Sequence, residues 1–366
     1  MENKSVDSVD QIIEVMLNGL NKNNKIIDKL KAVDLSKITN PYNLEEKLIN
    51  PIEIGSLDFS VSAVDSGFVS KQFNFANITV VKEVGVYFKY VDNKLTDHKY
   101  FPKIYNQAKP YLSSSSLELE EILWNSGILR LNKELDLTKK IIESQDLSIS
   151  LIDGSIIPQY INKPTKDCKE RVEYDKLILK FIQLYELSKQ KKIFLVGCIE
   201  DCRANRFFNI LKEEIDETKS LLDDSSNELF DLFTVFSLCP INYRTGVFKY
   251  SKEPESHPVL CDFLNEYSDN LYVTYLKLSD VDYPLRIEFI YFKDFGYSLK
   301  EYTDKIVSMI SALCSFNKNY IYPTALIEAD IRSRLTMVEI DQIMTKILEK
   351  TKNFGFRNQR RESRLF

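Results

Sequence analysis

The chain has 366 residues, with 49 Lys and Arg against 54 Asp and Glu (net charge −5); at 44% hydrophobic and 28% charged it has the composition of a globular protein, neither disordered nor fibrous. With 10 Gly and 11 Pro there is little material for long linkers, and no apolar run approaches the roughly 18 residues that a membrane-crossing helix needs. Two histidines, His98 and His257, leave no room for a three-histidine zinc site or an HExxH helix, and neither a P-loop nor a G-x-G-x-x-G fingerprint occurs. Six cysteines without a CxxC pair fit reduced thiols in a cytoplasm, and the first 25 residues lack the apolar core of a secretory signal.

In chain order, Val9, Ile12, Ile13, Val15, Met16 and Leu20 recur at helical spacing and predict a helix over 7–35. Asn40-Pro41 and Asn50-Pro51 punctuate a polar connector. FSVSAVDSGF then reads as a strand ending on Asp65 and a Ser66-Gly67 turn, and ITVVKEVGVYFKYVD as one long strand or a hairpin. An apolar stripe predicts a helix over 116–145, after which LSISLIDGS gives a strand ending on Asp153. A charged helix over about 170–190 leads into KKIFLVGCIEDCR, apolar throughout as a buried strand is. LYVTYLKL and LRIEFIYF are two further strands, followed by a helix over 299–315 and a last one running from Tyr322-Pro323 through ALIEADIRSRLTMVEIDQIMTKILEK. Strands alternating with helices predict an α/β fold with a mixed sheet.

The chemistry rests on carboxylates. The pattern of apolar strand, Asp and small-residue turn occurs at Asp65 (SAVDSG) and Asp153 (SLIDGS), and loosely at Asp201 (VGCIEDCR). Acidic groups converging at one sheet edge repel one another unless a divalent cation sits among them, and hard oxygen ligands suit Mg²⁺ or Mn²⁺. Two such cations form the arrangement for in-line attack on a phosphodiester. The plainer reading is that Asp-Gly and Asp-Ser are good turn formers.

Taken in order, SAVDSGF, SLIDGSIIP, FLVGCIEDCRANRF and YPTALIEADIRSRLT resemble the motifs of the NurA nucleases of archaea, across about residues 56–345. The resemblance implies an RNase H-like mixed sheet flanked by helices: an N-terminal helical extension over 1–50, a nuclease domain over 56–348 and a basic tail over 350–366. It implies DNA cleavage with Mn²⁺ or Mg²⁺ in a two-metal site, by a homodimer acting with a hexameric HerA-type ATPase in DNA end resection. Matched motif by motif, Asp65 and Asp153 become metal ligands. The family's helix-borne Glu falls on Glu134, with Glu121 the second choice. Asp330 stands where the family has His, and Glu200 where it has Lys. These departures leave open a second expectation, a weakly active or inactive DNA-binding adaptor of a translocase complex.

A negative chain needs local patches to hold phosphates. Arg203 and Arg206 lie just past the third strand, while Tyr243-Arg244 and Lys249-Tyr250 set bases beside aromatics, as single-strand grooves do. Arg357, Arg360, Arg361 and Arg364 add positive charge to the tail, which either touches DNA or keeps the terminus solvated.

Overall fold

The computed structural model describes residues 9–41, 44–73, 76–113, 118–222 and 229–351, so nearly all of the basic tail lies outside the described residues. Helix α1 (Val9–Leu30) buries only Ile26, Ile27 and Leu30 in its last turns. Strand β1 (Ile49–Pro51) follows, then the long antiparallel pair β2 (Ser60–Phe73) and β3 (Ala76–Val91). Strands β4 (Lys94–Phe101) and β5 (Lys109–Ser113) pair with the two halves of β3. Helix α2 (Leu119–Ser144) returns the chain to β6 (Ile149–Asp153), and α3 (Glu170–Lys191) leads to β7 (Phe194–Ile199).

Short helices α4 (Arg206–Glu213), α5 (Asp216–Lys219) and α6 (Asp231–Leu238) precede strands β8 (Tyr243–Thr245) and β9 (Phe248–Lys249). After α7 (Asn265–Ser268) come β10 (Leu271–Lys277) and β11 (Leu285–Ile290), then α8 (Leu299–Cys314), α9 (Thr324–Ser333) and α10 (Met337–Lys350). Among the described residues no helix is long and apolar enough to cross a membrane.

One mixed sheet runs β1-β8-β10-β11-β7-β6-β2-β3-β4. Its half built from β4-β3-β2-β6-β7 has three antiparallel strands followed by two parallel to β2, the RNase H-like order. Alternation along the strands supplies both faces. Val61, Ala63, Leu151, Val196 and Ile287 pack against α8 and α9, whereas Val64, Ile152, Leu195 and Ile290 pack against α2 and α3. The segment read as an N-terminal extension is tied into this body: β1 pairs with β8, and the end of α1 packs with Phe207, Val235 and Tyr275.

Two local expectations fail. No turn occurs at Ser66-Gly67, because β2 stays paired with β3 from Ser60 to Phe73 and Asp65 lies mid-strand. Gly67 is small for another reason: a Cβ there would lie 2.6 Å from the Ser333 carbonyl oxygen, where the end of α9 crosses the strand. The last helix is also not continuous. Thr336 caps α10 by accepting from Glu339 N at 3.2 Å, while Glu339 accepts from Thr336 N at 3.0 Å, so the chain turns between Ser333 and Met337. The Asp153 turn does form, with Gly154 at φ +99°, a conformation that glycine adopts without a Cβ penalty.

Candidate active site

Three carboxylates from three elements lie near one end of the parallel strands, close enough to feel one another's charge, Asp65 and Asp153 on the α9 face and Glu134 on the α2 face. Asp65 projects from β2 toward α9, where Ser333 Oγ donates to its Oδ2 at 2.6 Å. Asp153 ends β6 on the same face; Tyr322, just before α9, donates its hydroxyl to Asp153 Oδ1 and lies 3.2 Å from the Cys198 carbonyl oxygen. Glu134 reaches in from α2: Ser66 Oγ donates to its Oε1 at 2.6 Å, and Arg130 stands 3.3 Å from the same oxygen. Asp65 and Glu134 are buried, and Asp153 is partly so.

Burial and mutual repulsion shape their electrostatics. Burial pushes the Glu134 carboxyl up to about 7, with Asp65 and Asp153 adding to the rise while Arg130 and Ser66 oppose it. Asp153 also rises to about 7, first by burial and next by the Asp65 charge, against the Tyr322 hydrogen bond. Asp65 lies within hydrogen-bonding range of Asp153. Placing three acidic groups here with a single arginine leaves negative charge that a protein interior does not tolerate alone. The donor set is oxygen throughout. Asp65 and Asp153, which share one face of the sheet, would hold a hard divalent cation, with Glu134 adding negative charge from the α2 side.

Two more acids sit at the rim. Glu200, at the exit of β7, accepts from the Tyr320 hydroxyl; burial raises its carboxyl, and Asp330 is among the charges that add to the rise. Asp330 itself pairs with Arg334 one turn along, at 2.7 Å, and its side chain is 44% exposed. Its carboxylate thus faces the outer edge of the cluster and already has a cationic partner.

The NurA domain profile matches residues 59–335, about three quarters of the chain. The chain belongs to the NurA family. The fold is similar to that of the NurA nuclease from Sulfolobus solfataricus (TM-score 0.56, 13% identity, covering 94% of this chain and 98% of that one). It is also similar to a NurA crystallised with manganese (TM-score 0.51, 10% identity, 94% and 98% covered) and to a further NurA structure (TM-score 0.50, 9% identity, 93% and 97% covered). At these identities the likeness is one of fold. No curated protein matches the sequence.

In this NurA chain the other residues singled out from sequence fall elsewhere. Glu121 lies about 20 Å from Glu134 along α2, at a rise of about 1.5 Å per residue. It closes the capping box at the start of α2 and stands near Cys168 and Glu170, the one group of three donor atoms among the described residues within 4.8 Å of one another. Arg203 is exposed beyond β7, and Arg206 opens α4 and pairs with Glu214 at 3.2 Å. Arg206 also lines a cleft of about 510 Å³ with Tyr250, Lys252 and His257.

Tyr243 is half-buried on β8. Arg244 is fully buried: Nη1 donates to Glu45 at 2.9 Å, and Nη2 donates to Glu45 and, at 2.7 Å, to Asp304. A guanidinium so enclosed presents nothing to a phosphate. Moreover β8 lies four strand spacings from β6, about 19 Å at about 4.8 Å per strand, so this pair is not gathered with the carboxylates.

Sequence reasoning missed Tyr322, Ser333, Ser66 and Arg130. Of these only Tyr322 carried a local signal, as the aromatic directly before Pro323 at the start of α9.

Proposed function

We propose that this protein is a divalent-metal-dependent deoxyribonuclease that cuts DNA ends and single strands, with Mn²⁺ or Mg²⁺ held by Asp65, Glu134 and Asp153. The observation that carries the reading is the pairing of Asp65 with Asp153 on one face at the strand end, with Glu134 near enough to feel both charges and with Asp153 and Glu134 each raised to about 7. The family membership supports it, as does the crystallisation of a NurA of similar fold with manganese. When bound, such a cation supplies Lewis-acid polarisation of the phosphodiester and lowers the pKa of a water nucleophile, and a two-metal site supplies both at once.

The chain's own residues set the geometry. Ser333 and Tyr322 fix the rotamers of Asp65 and Asp153, and Ser66 with Arg130 fixes Glu134, so the ligands are preorganised. Burial shields the Asp65 and Glu134 oxygens from bulk water. Asp330 and Glu200 are proposed as outer acids that adjust metal affinity, Asp330 after release from Arg334. The same reading includes a cytoplasmic homodimer acting with a HerA-type hexameric ATPase in DNA end resection, since the chain shows no P-loop with which to drive a translocation of its own.

The deciding experiment is cleavage of labelled single- and double-stranded DNA by purified protein in Mn²⁺, Mg²⁺ or EDTA, with Asp153→Ala alongside. Cleavage that needs metal and disappears in Asp153→Ala is expected; its absence in every metal overturns the reading. The ion pair between Asp330 and Arg334 favours a second reading, an inactive DNA-binding adaptor, which DNA binding without cleavage would establish.

A further inference from the structure

The β2–β3 pair continues well beyond the acidic cluster, and with β5 its face toward α2 carries two aromatic rings under two cations. Phe68, three residues past Asp65 and thus about 10 Å along the strand, is 43% exposed. The Arg130 guanidinium lies over its ring at 5.9 Å from the centroid, and the same side chain is 3.3 Å from Glu134. Tyr111 on β5 has the Lys133 ammonium 4.6 Å from its ring centroid. Register puts both rings on one face: Phe68 opposes Val81, which opposes Lys109, and Ser70 opposes Thr79, which opposes Tyr111. The two rings are therefore two strands apart, about 10 Å laterally.

None of this is needed for the core. Phe68 lies outside the buried clusters, and no carboxylate among the described residues pairs with Lys133. Lys109 adds a third cation, 3.6 Å from Glu83. Arg130 and Lys109 are paired with Glu134 and Glu83, which leaves the Lys133 charge to face an anion here. One exposed and one half-buried ring, each with a cation beside it, suit a ligand that offers flat apolar faces and anionic linkages in alternation, which describes a single nucleic-acid strand.

We infer that Phe68 and Tyr111, with Arg130 and Lys133, seat a single DNA strand as it leaves the acidic cluster. The inference rests on the nuclease reading for the strand's direction and for DNA as the polymer. Bases stack on the two rings, Lys133 faces a phosphate, and Arg130 links the platform to Glu134. The α2 side of the sheet binds and the opposite side does not.

The test measures the binding of a fluorescein-labelled oligothymidylate of about 20 nucleotides to the full chain by anisotropy, in Ca²⁺ so that affinity is read apart from turnover. Phe68→Ala and Tyr111→Ala each weaken binding about five- to tenfold, and Phe68→Trp, which keeps a ring, restores it. Lys133→Gln lowers the slope of log affinity against log salt by about 0.7, one single-strand phosphate contact. Leu112→Ala, on the opposite face of β5 and 75% exposed, binds as the parent does. Wild-type affinity in both ring variants, loss in Leu112→Ala equal to theirs, or no binding by the parent overturns the inference. Cleavage in Mn²⁺ is scored separately: a parent that binds through the rings but cuts nothing sinks the nuclease reading and keeps the platform.

Discussion

Ser66 on β2 donates a 2.6 Å hydrogen bond to Glu134 on α2, so a strand hydroxyl one residue past one carboxylate positions the next. Asp65 and Ser66 point to opposite faces of β2, as neighbours on a strand must. The strand thus joins the α9 side of the site to its α2 side. Ser66→Ala removes a donor that favours the charged form of Glu134, so its carboxyl rises further. The expected result is weaker Mn²⁺ binding with the fold intact, read as a rightward shift of the metal titration of cleavage that saturating Mn²⁺ reverses.

Asp65→Asn and Asp153→Asn each remove a ligand and should lower cleavage about a hundredfold or more, since metal charge balance and geometry fail together. Both also relieve repulsion, so each should melt at a higher temperature than the parent in EDTA. A parent-like cleavage rate in either variant refutes its role.

The raised carboxyls fix a pH dependence for the metal-free protein. Glu134 and Asp153 keep protons up to about pH 7 in the folded state, whereas the unfolded chain releases them near pH 4. The native state therefore binds more protons across that window, and stability from this source is present below about pH 4 and lost as pH rises through about 7. In EDTA the melting temperature should fall between pH 5.5 and pH 8, and Mn²⁺ should flatten the decline. Asp153→Asn with Glu134→Gln should flatten it without metal.

Tyr322→Phe keeps the buried ring and deletes the hydroxyl that donates to Asp153. Without that donor the Asp153 carboxyl rises further, and cleavage should drop about tenfold at limiting Mn²⁺ with partial recovery in excess metal. Circular dichroism should show an unchanged fold.

Arg244 separates packing from DNA contact. Its fully buried guanidinium holds Glu45 and Asp304, so Arg244→Ala leaves the buried Glu45 charge uncompensated, at about 3–5 kcal/mol of stability. Urea unfolding should show this loss, and Glu45→Gln in the same chain should recover part of it. Oligonucleotide affinity of the folded fraction should stay that of the parent.

The strands carrying Asp65 and Asp153 were legible because apolar β-type runs surround each acid. Helix α2 is legible from its apolar period, although only the family resemblance points to Glu134 on it. Arg244 was misjudged because its partner Glu45 is 199 residues away, and a buried arginine looks in sequence like an exposed one. Ser333 escaped notice for the same reason, its hydroxyl finding Asp65 across 268 residues. The break before α10 was readable, by contrast: Thr336-Met337-Val338-Glu339 is a capping-box pattern, and the apolar residues on either side masked it.

The parallel neighbours β2 and β6 cannot be joined by a tight turn, and the crossover between them runs through α2, so the connection that topology demands also delivers Glu134. This gives the gene a phase constraint. One codon inserted within α2 between Glu134 and Ser144 turns the glutamate about 100° around the helix axis relative to the turns that follow it, away from Ser66, whereas substitutions that keep the length leave its bearing untouched. Within this crossover, selection should therefore tolerate exchange of residues far more readily than a change in their number.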